Sequence, residues 1–308
     1  MTASIVRILL WLLGQIPLPI RAVLGRLAGH LFALIPTRDR RIAAMQLDLF
    51  VPERGGRRLL SRVYAGLGQT TLESINLKAF LRTPGRYITC PQMDLVEEIR
   101  RRNRPVLALT AHFANWDLLA AWTVSLGFEL VTVGREAQSP ALHAALTGIR
   151  ESNGVYTIWR GDRSGLRELV ARFQRPGVIA ALIDQDTHVV SQSIPFFGLP
   201  ARTPSSLVDL ALKYRATILS TFLLRRGLQS YTVSVEEFSD GLTTPQILEQ
   251  FNQRLEAHIR LAPEQWVWVH KRWRSPRADS RLSSREYIDY LQTLLNSAAA
   301  QPQGSVSL

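Results

Sequence analysis

Cysteine is almost absent from this 308-residue chain: Cys90 stands alone. That excludes an intrachain disulfide and a cluster of thiolate metal ligands. Cys90 follows Thr89 in a short β-like run with no histidine nearby, so it reads as a buried structural thiol rather than a nucleophile. No G-x-S-x-G elbow, Walker loop or G-x-G-x-x-G turn occurs, which disfavours a covalent serine mechanism and the common nucleotide-binding folds. Nor is there an unbroken run of about 20 apolar residues of the kind a spanning helix needs. Acidic side chains are in the minority, 25 against 37 Lys and Arg, for a formal net charge of +12. Such a surplus suits an anionic partner (nucleic acid, phospholipid surface, phosphorylated substrate or acidic carrier protein) without choosing among them.

What is present is enough for a large core, since 46% of residues are apolar. The first 36 residues are rich in Leu, Ile, Val and Ala, broken by Pro17 and Pro19 and interrupted by Arg7, Arg21 and Arg26. The run Ile8–Leu13 has the length of a signal-peptide core, but no small-residue cleavage site of the usual kind follows it. Two short apolar helices lying in one leaflet fit better, with arginines reaching the headgroups and Arg38, Arg40 and Arg41 as a basic cytoplasmic flank. The alternative is an ordinary buried hairpin. The expected organisation is an anchor over 1–36, one main domain over 37–297 and a loose tail over 298–308.

Beyond two helical stretches up to about Phe80, strand and helix signals alternate. Strands are expected near Tyr87–Cys90, Arg104–Thr110, Phe128–Val133, Val155–Trp159, Val178–Ile183, Thr217–Leu224 and Ser230–Val235. Helices fall between them, and Thr244–Leu261 reads as the final long one. This rhythm predicts an α/β fold, a largely parallel central sheet covered by helices.

The candidate chemistry gathers at predicted strand ends, where open α/β sheets bind ligands. His112 lies on the turn after Arg104–Thr110, and Asp117 falls in the first turn of the next helix if Asn115 is its N-cap. An imidazole beside a carboxylate can serve as a general base, although the same residues also fit a cap and a dipole partner. Asp184, Gln185 and Asp186 close the strand Val178–Ile183. No supporting histidine is visible for a metal there, so none is expected. Phe196, Phe197 and Gly198, followed by Thr203, read as a loop whose aromatics either wall an acyl chain or pack in the core. Arg160 and Arg225 end two further strands and would suit phosphate. The stretch Glu264–Arg274 carries Trp266, Trp268 and Trp273 among basic residues. A nucleic-acid stacking surface, a membrane-interface belt and simple core packing all remain open for it.

Four stretches together resemble the lipid A biosynthesis lauroyl/myristoyl acyltransferases, within the lysophospholipid and glycerol-3-phosphate acyltransferase superfamily. They are His112-Phe113-Ala114-Asn115-Trp116-Asp117, matching that family's H-x4-D/E, then Asp184-Gln185-Asp186, Pro195-Phe196-Phe197-Gly198 with Thr203, and Pro263–Trp273. The resemblance spans nearly the whole chain in the right order. It implies a glycerol-3-phosphate acyltransferase-like fold and a membrane-associated enzyme at the cytoplasmic face of the inner membrane. It further implies transfer of a fatty acyl group from acyl carrier protein or acyl-CoA to a hydroxyl of a lipid or glycolipid acceptor, with no cofactor and no nucleic acid. His112 would be the base and Asp117 its partner. Asp184, Gln185, Phe196, Phe197, Gly198 and Thr203 would join the substrate site, and Arg160 and Arg225 would hold acceptor phosphates. Another lysophospholipid or glycolipid acceptor is the alternative. A non-catalytic basic membrane- or nucleic-acid-binding protein is a third reading.

Overall fold

The computed structural model describes residues 3–54, 56–137, 139–160, 163–277 and 280–300. The chain opens with α1 (Ala3–Gln15) and α2 (Leu18–Phe32), then α3 (Arg38–Phe50) and α4 (Arg57–Ser74). Short turns α5 (Lys78–Leu81) and α6 (Pro84–Tyr87) lead to β1 (Ile88–Thr89) and α7 (Met93–Arg102). The central part runs β2 (Pro105–Thr110), α8 (Trp116–Ser125), β3 (Leu130–Gly134), α9 (Pro140–Glu151), β4 (Tyr156–Trp159), α10 (Arg163–Arg172) and β5 (Gly177–Leu182). It continues through β6 (Ser191–Phe196), β7 (Leu199–Pro204), α11 (Ser206–Lys213), β8 (Thr217–Arg225), β9 (Tyr231–Glu237), α12 (Thr244–Leu261) and α13 (Ser284–Ala300).

The main sheet has seven strands in the order β1-β9-β8-β2-β5-β3-β4. Strands β8, β2, β5, β3 and β4 are parallel, whereas β9 is antiparallel to β8 and parallel to β1. Strand β2 is buried on both faces, as a central parallel strand must be: Val106 and Ala108 join the core under α8, and Leu107 and Leu109 the core on the opposite face. β2 and β5 are neighbours, paired from Pro105↔Gly177 to Thr110↔Leu182. The chain leaves β2 through α8, which packs on one face, and leaves β5 for the hairpin and α11, which packs on the other. Divergent exits from adjacent strands open a crevice at their carboxyl ends.

Local rules account for several element ends. Asn115 caps α8 by accepting from the Leu118 N–H at 3.0 Å. Thr243 and Gln246 form a capping box that starts α12. Asn103, at φ 49°, ends α7 after three arginines placed at the negative end of its dipole.

Three sequence expectations need correction. The second early helix stops at Ser74 rather than running to Phe80. Ser191–Pro204 forms an antiparallel hairpin, not a loop. Its turn is Phe197-Gly198, both with positive φ (50° and 75°), the backbone that two-residue hairpin turns favour. Helix α13 follows α12, and it runs to Ala300, past the boundary expected at 297/298; residues 301–308 of the expected tail lie outside the described residues.

The front helices dock on α4 by close backbone approach. A Cβ at Gly29 would overlap the Tyr64 carbonyl, and one at Gly68 would overlap the Gly25 carbonyl. Arg21, 1% exposed, donates to the carbonyls of Leu72 and Asn76 at the C-terminal end of α4. The outer surface of α1 and α2 remains apolar, with Trp11, Leu27, Leu31 and Leu34 all more than half exposed. No single helix among the described residues is long and apolar enough to cross a membrane; α1 and α2 meet at 118°. Gly29→Leu is expected to undock α2 at a cost of about 1–3 kcal/mol. Limited proteolysis should then cut between α2 and α3 faster than in wild type; an unchanged cleavage rate would contradict the close-packing account.

Candidate active site

His112 stands on the turn between β2 and α8, and that turn is strained. Ala114 adopts φ 48°, a left-handed backbone uncommon outside glycine. Its N–H donates to the Gln265 carbonyl at 2.8 Å, and its carbonyl accepts from Thr70 Oγ1 at 2.9 Å. The Val267 N–H reaches the His112 carbonyl at 3.2 Å, and Phe113 and Trp266 form an antiparallel bridge. The tryptophan-rich segment therefore braces the turn from behind. Trp266, Trp268 and Trp273 are each 0% exposed, which removes both the nucleic-acid stacking surface and the membrane belt as readings of that stretch.

The carboxylate beside His112 is Asp184, not Asp117. His112 Nδ1 lies 2.8 Å from Asp184 Oδ1, and the His112 backbone N–H donates to Asp184 Oδ2 at 3.0 Å. The Trp266 indole N–H donates to the same Oδ2 at 2.9 Å. The cause is strand register. Thr110 pairs with Leu182, and the Ile183 N–H donates to the Thr110 carbonyl, so the next residues along, His112 and Asp184, come out side by side. Burial alone would raise the Asp184 pKa. The charge and hydrogen bond of His112, with His270 and the Trp266 indole, outweigh it and hold the carboxyl well below its usual range. Asp184 is thus an ionised acceptor. It keeps the proton of neutral His112 on Nδ1 and leaves a lone pair on Nε2.

Asp117 sits in the first turn of α8 and turns away, towards α9, where Arg150 Nε donates to its Oδ1 at 3.0 Å. The two side chains are 15% and 20% exposed, at the edge of the crevice. Gln185 lies just past the end of β5, where its Nε2 is 3.0 Å from His112 Nδ1 and 3.1 Å from His112 Nε2 and also contacts His270 Nε2. With Nδ1 protonated towards Asp184, the amide donates to the Nε2 atoms. Its two amide hydrogens can serve both. His270, whose pKa is pushed down to about 3 by burial and by His112, is a neutral acceptor for it. Sequence reasoning assigned no role to His270, Arg150 or Glu73.

Other candidates are structural. Arg225 does not face the crevice: its guanidinium is buried behind the turn, on Thr70 Oγ1 (2.9 Å), Tyr231 Oη (3.2 Å) and Glu73 Oε2 (3.4 Å). Glu73, 0% exposed, also accepts from Gln69, Asn115 and Tyr231. The strand end expected to offer a free cation is covered by α4. Phe196 is 0% exposed and packs on Trp266 and Trp273. Phe197 and Gly198 make the hairpin turn, and the Phe197 N–H donates to Glu256 Oε1. Thr203, also 0% exposed, accepts from Arg272 at 2.7 Å. These four hold the hairpin to the core, and none of them lines the cavity described below. Arg160 remains exposed at the end of β4.

An apolar cavity of about 60 Å³ lies under α8 and α7. It runs along β2 from Thr110 past Ala108 to Val106, with Ile99, Trp122 and Val235 among its walls and no charged residue lining it. On strand geometry that is about 13 Å of β2, beginning two residues from His112. A base on a carboxylate leash beside a long uncharged cavity can activate a hydroxyl against a reactive group borne on a hydrocarbon chain.

The family model described as "Bacterial lipid A biosynthesis acyltransferase" matches residues 1–275. A phosphatidylinositol mannoside acyltransferase of Mycobacterium tuberculosis (strain CDC 1551 / Oshkosh) is 27% identical over 183 residues, covering 57% of this chain. The match spans only 56% of that protein's length, about half. A lipid A biosynthesis palmitoleoyltransferase of Escherichia coli (strain K12) is 23% identical over 283 residues, covering 89% of this chain and 91% of that protein. A lipid A biosynthesis myristoyltransferase of the same strain is 25% identical over 268 residues, covering 82% and 79%.

Proposed function

The chain belongs to the bacterial lipid A biosynthesis acyltransferase family, and from that premise we propose that it moves a fatty acyl group from a thioester donor to a hydroxyl of a lipid A precursor. The observation that carries this reading is the His112–Asp184 pair at the switch point, beside the uncharged cavity. His112 Nε2 takes the proton of the acceptor hydroxyl as its oxygen attacks the thioester carbonyl. Asp184 holds the ring and offsets the charge of the imidazolium. Collapse of the tetrahedral intermediate expels the thiolate, which takes the proton back from His112. The Gln185 amide gives way from Nε2 as the hydroxyl arrives. No acyl-enzyme is needed.

The donor is an acyl carrier protein or acyl-CoA, both acidic, which suits a chain of net charge +12. Its acyl chain enters at the cavity under α8. The apolar outer surface of α1 and α2 lies in a membrane at its cytoplasmic face, and places the crevice where a lipid acceptor presents its hydroxyl. A different glycolipid acceptor is a second reading, favoured by the likeness to the mannoside acyltransferase. A non-catalytic nucleic-acid binder has lost its main support, because the three tryptophans and Arg272 are buried.

The test incubates detergent-purified protein with acyl carrier proteins and acyl-CoAs of several chain lengths. Each donor is paired with a tetra-acylated lipid A precursor or with a mannosylated phosphatidylinositol. The expected product is the lipid A precursor heavier by one acyl group, read by mass spectrometry. Gain only on the mannoside would move the acceptor. No gain on either, from folded protein, would refute the reading.

A further inference from the structure

On the face of the sheet opposite the first cavity lies a second, larger apolar cleft, of about 230 Å³. Val133, Ile158, Ala181 and Ile183 form its floor, and Leu169 of α10 and Leu207 of α11 its walls. Unlike the first cavity it has a charged rim: Arg160 lines it, together with Thr187 and Ser206. Thr187 Oγ1 is buried without a hydrogen-bond partner. Arg135, just past the end of β3, neighbours Arg160 across the β3–β4 pair, where the Arg160 N–H donates to the Gly134 carbonyl at 2.9 Å. Desolvation first, and the charge of Arg135 second, lower the Arg160 pKa. Neither arginine has an acidic partner among the described residues. Two large apolar side chains stand exposed at this mouth, Leu166 at 59% and Val190, next to the lining Val189, at 68%.

The cleft adjoins the loop that follows Asp184 and Gln185, and Thr187 and Val189 of that loop line it. That loop is fastened from outside by Arg202, which donates to the Val189 carbonyl at 3.1 Å, and by Arg281, which donates to the Asp186 carbonyl at 3.2 Å. Asp186, on the same loop, bears with its charge on Arg272 and Arg281 rather than on Arg160. Apolar walls with a cationic rim match a molecule that is hydrocarbon along its length and anionic at one end.

We propose that this cleft binds a hydrocarbon chain of a phosphate-bearing lipid, with the phosphate held by Arg160 and Arg135, so that donor and acceptor chains enter from opposite faces of the sheet. The assignment to the acceptor rests on the acyltransferase reading; the binding itself does not. The test is titration of full-length protein, held in an amphipathic polymer, with radiolabelled octyl phosphate below its micelle concentration. Saturable binding is expected, weakened at least tenfold by Leu169→Trp, which fills the cleft, and by the double change Arg135→Glu/Arg160→Glu. Leu166→Asp, at a mouth position 59% exposed to solvent, should weaken it as well. Thr123→Trp, which fills the first cavity, and His112→Ala should leave it unchanged.

Displacement by inorganic phosphate as readily as by octyl phosphate would reduce the site to an anion patch and overturn the proposal. Equal displacement by octyl glucoside would remove the role of the arginines. Displacement by pantetheine 4′-phosphate at equal strength would assign the cleft to the donor, and binding insensitive to both Leu169→Trp and Leu166→Asp would place the chain elsewhere. Inactive protein that still binds octyl phosphate in this way would sink the transferase reading and leave the cleft standing. Active enzyme without such binding would do the reverse.

Discussion

His112→Ala is expected to lower turnover by about 10²–10⁴-fold, the usual range for a positioned general base, which corresponds to about 3–5 kcal/mol of transition-state stabilisation. Asp184→Asn should follow it closely, with a loss on the order of 10²-fold or more. An amide at that position can present N–H to Nδ1, favour the wrong tautomer and deprive the imidazolium of its counter-charge. The acid limb of the pH–rate profile should then move to lower pH in Asp184→Asn. Asp117→Asn tests the other assignment. Because Asp117 holds Arg150 at 3.0 Å and not His112, this change should leave the acid limb in place and act through the position of Arg150, chiefly on KM. Steady-state kinetics across pH, with circular dichroism as a fold control, would decide. If the acid limb shifts with Asp117→Asn and stays with Asp184→Asn, the pairing described above is wrong.

Arg225→Ala is expected to cost about 3–5 kcal/mol of stability, because it strands Glu73 as a buried charge without its cation. The network is closed: Glu73 accepts from Gln69, Asn115 and Tyr231 as well as from Arg225, and Asn115 caps the helix that follows His112. Loss of one member therefore reaches the turn that carries His112. Urea denaturation should show a lower midpoint with an unchanged slope, the mark of reduced stability rather than altered compactness. Removing both charges in Glu73→Gln/Arg225→Met should recover part of the loss, since Glu73 no longer stands as a buried charge without Arg225. A phosphate-binding Arg225 would behave otherwise, raising KM for a phosphorylated acceptor while the denaturation midpoint stayed put.

The sequence was legible wherever the physics is local. Runs such as Val178–Ile183, apolar on both faces, mark central parallel strands. The proline break at Pro17–Pro19 separates α1 from α2 as expected. Asn115 could be recognised as an N-cap from its place before an apolar helix, which in turn put His112 on a strand-to-helix turn. Hidden from it were features that depend on who the neighbour is. The Phe197-Gly198 turn carries none of the residue pairs that usually announce a hairpin, and Pro195 and Pro200 weakened the strand signal around it. The three tryptophans near residue 270 looked ambiguous because a basic, aromatic stretch reads the same whether its rings face solvent or core.

By itself, then, the sequence determined the alternation of strands and helices, the turn that carries His112 and the strand end that carries Asp184-Gln185-Asp186. Only the tertiary structure decided which carboxylate serves the histidine. Asp117 is five residues away along the chain and Asp184 is 72, but parallel pairing of β2 with β5 aligns Thr110 with Leu182 and brings Asp184 to 2.8 Å. It also decided that Arg225 is a buried ion-pair partner whereas Arg160 remains at a cleft mouth. The reason is the same in both cases: backbone propensity and patterning act over a few residues, while register between strands and the helix that covers a strand end are set by packing between segments far apart in sequence.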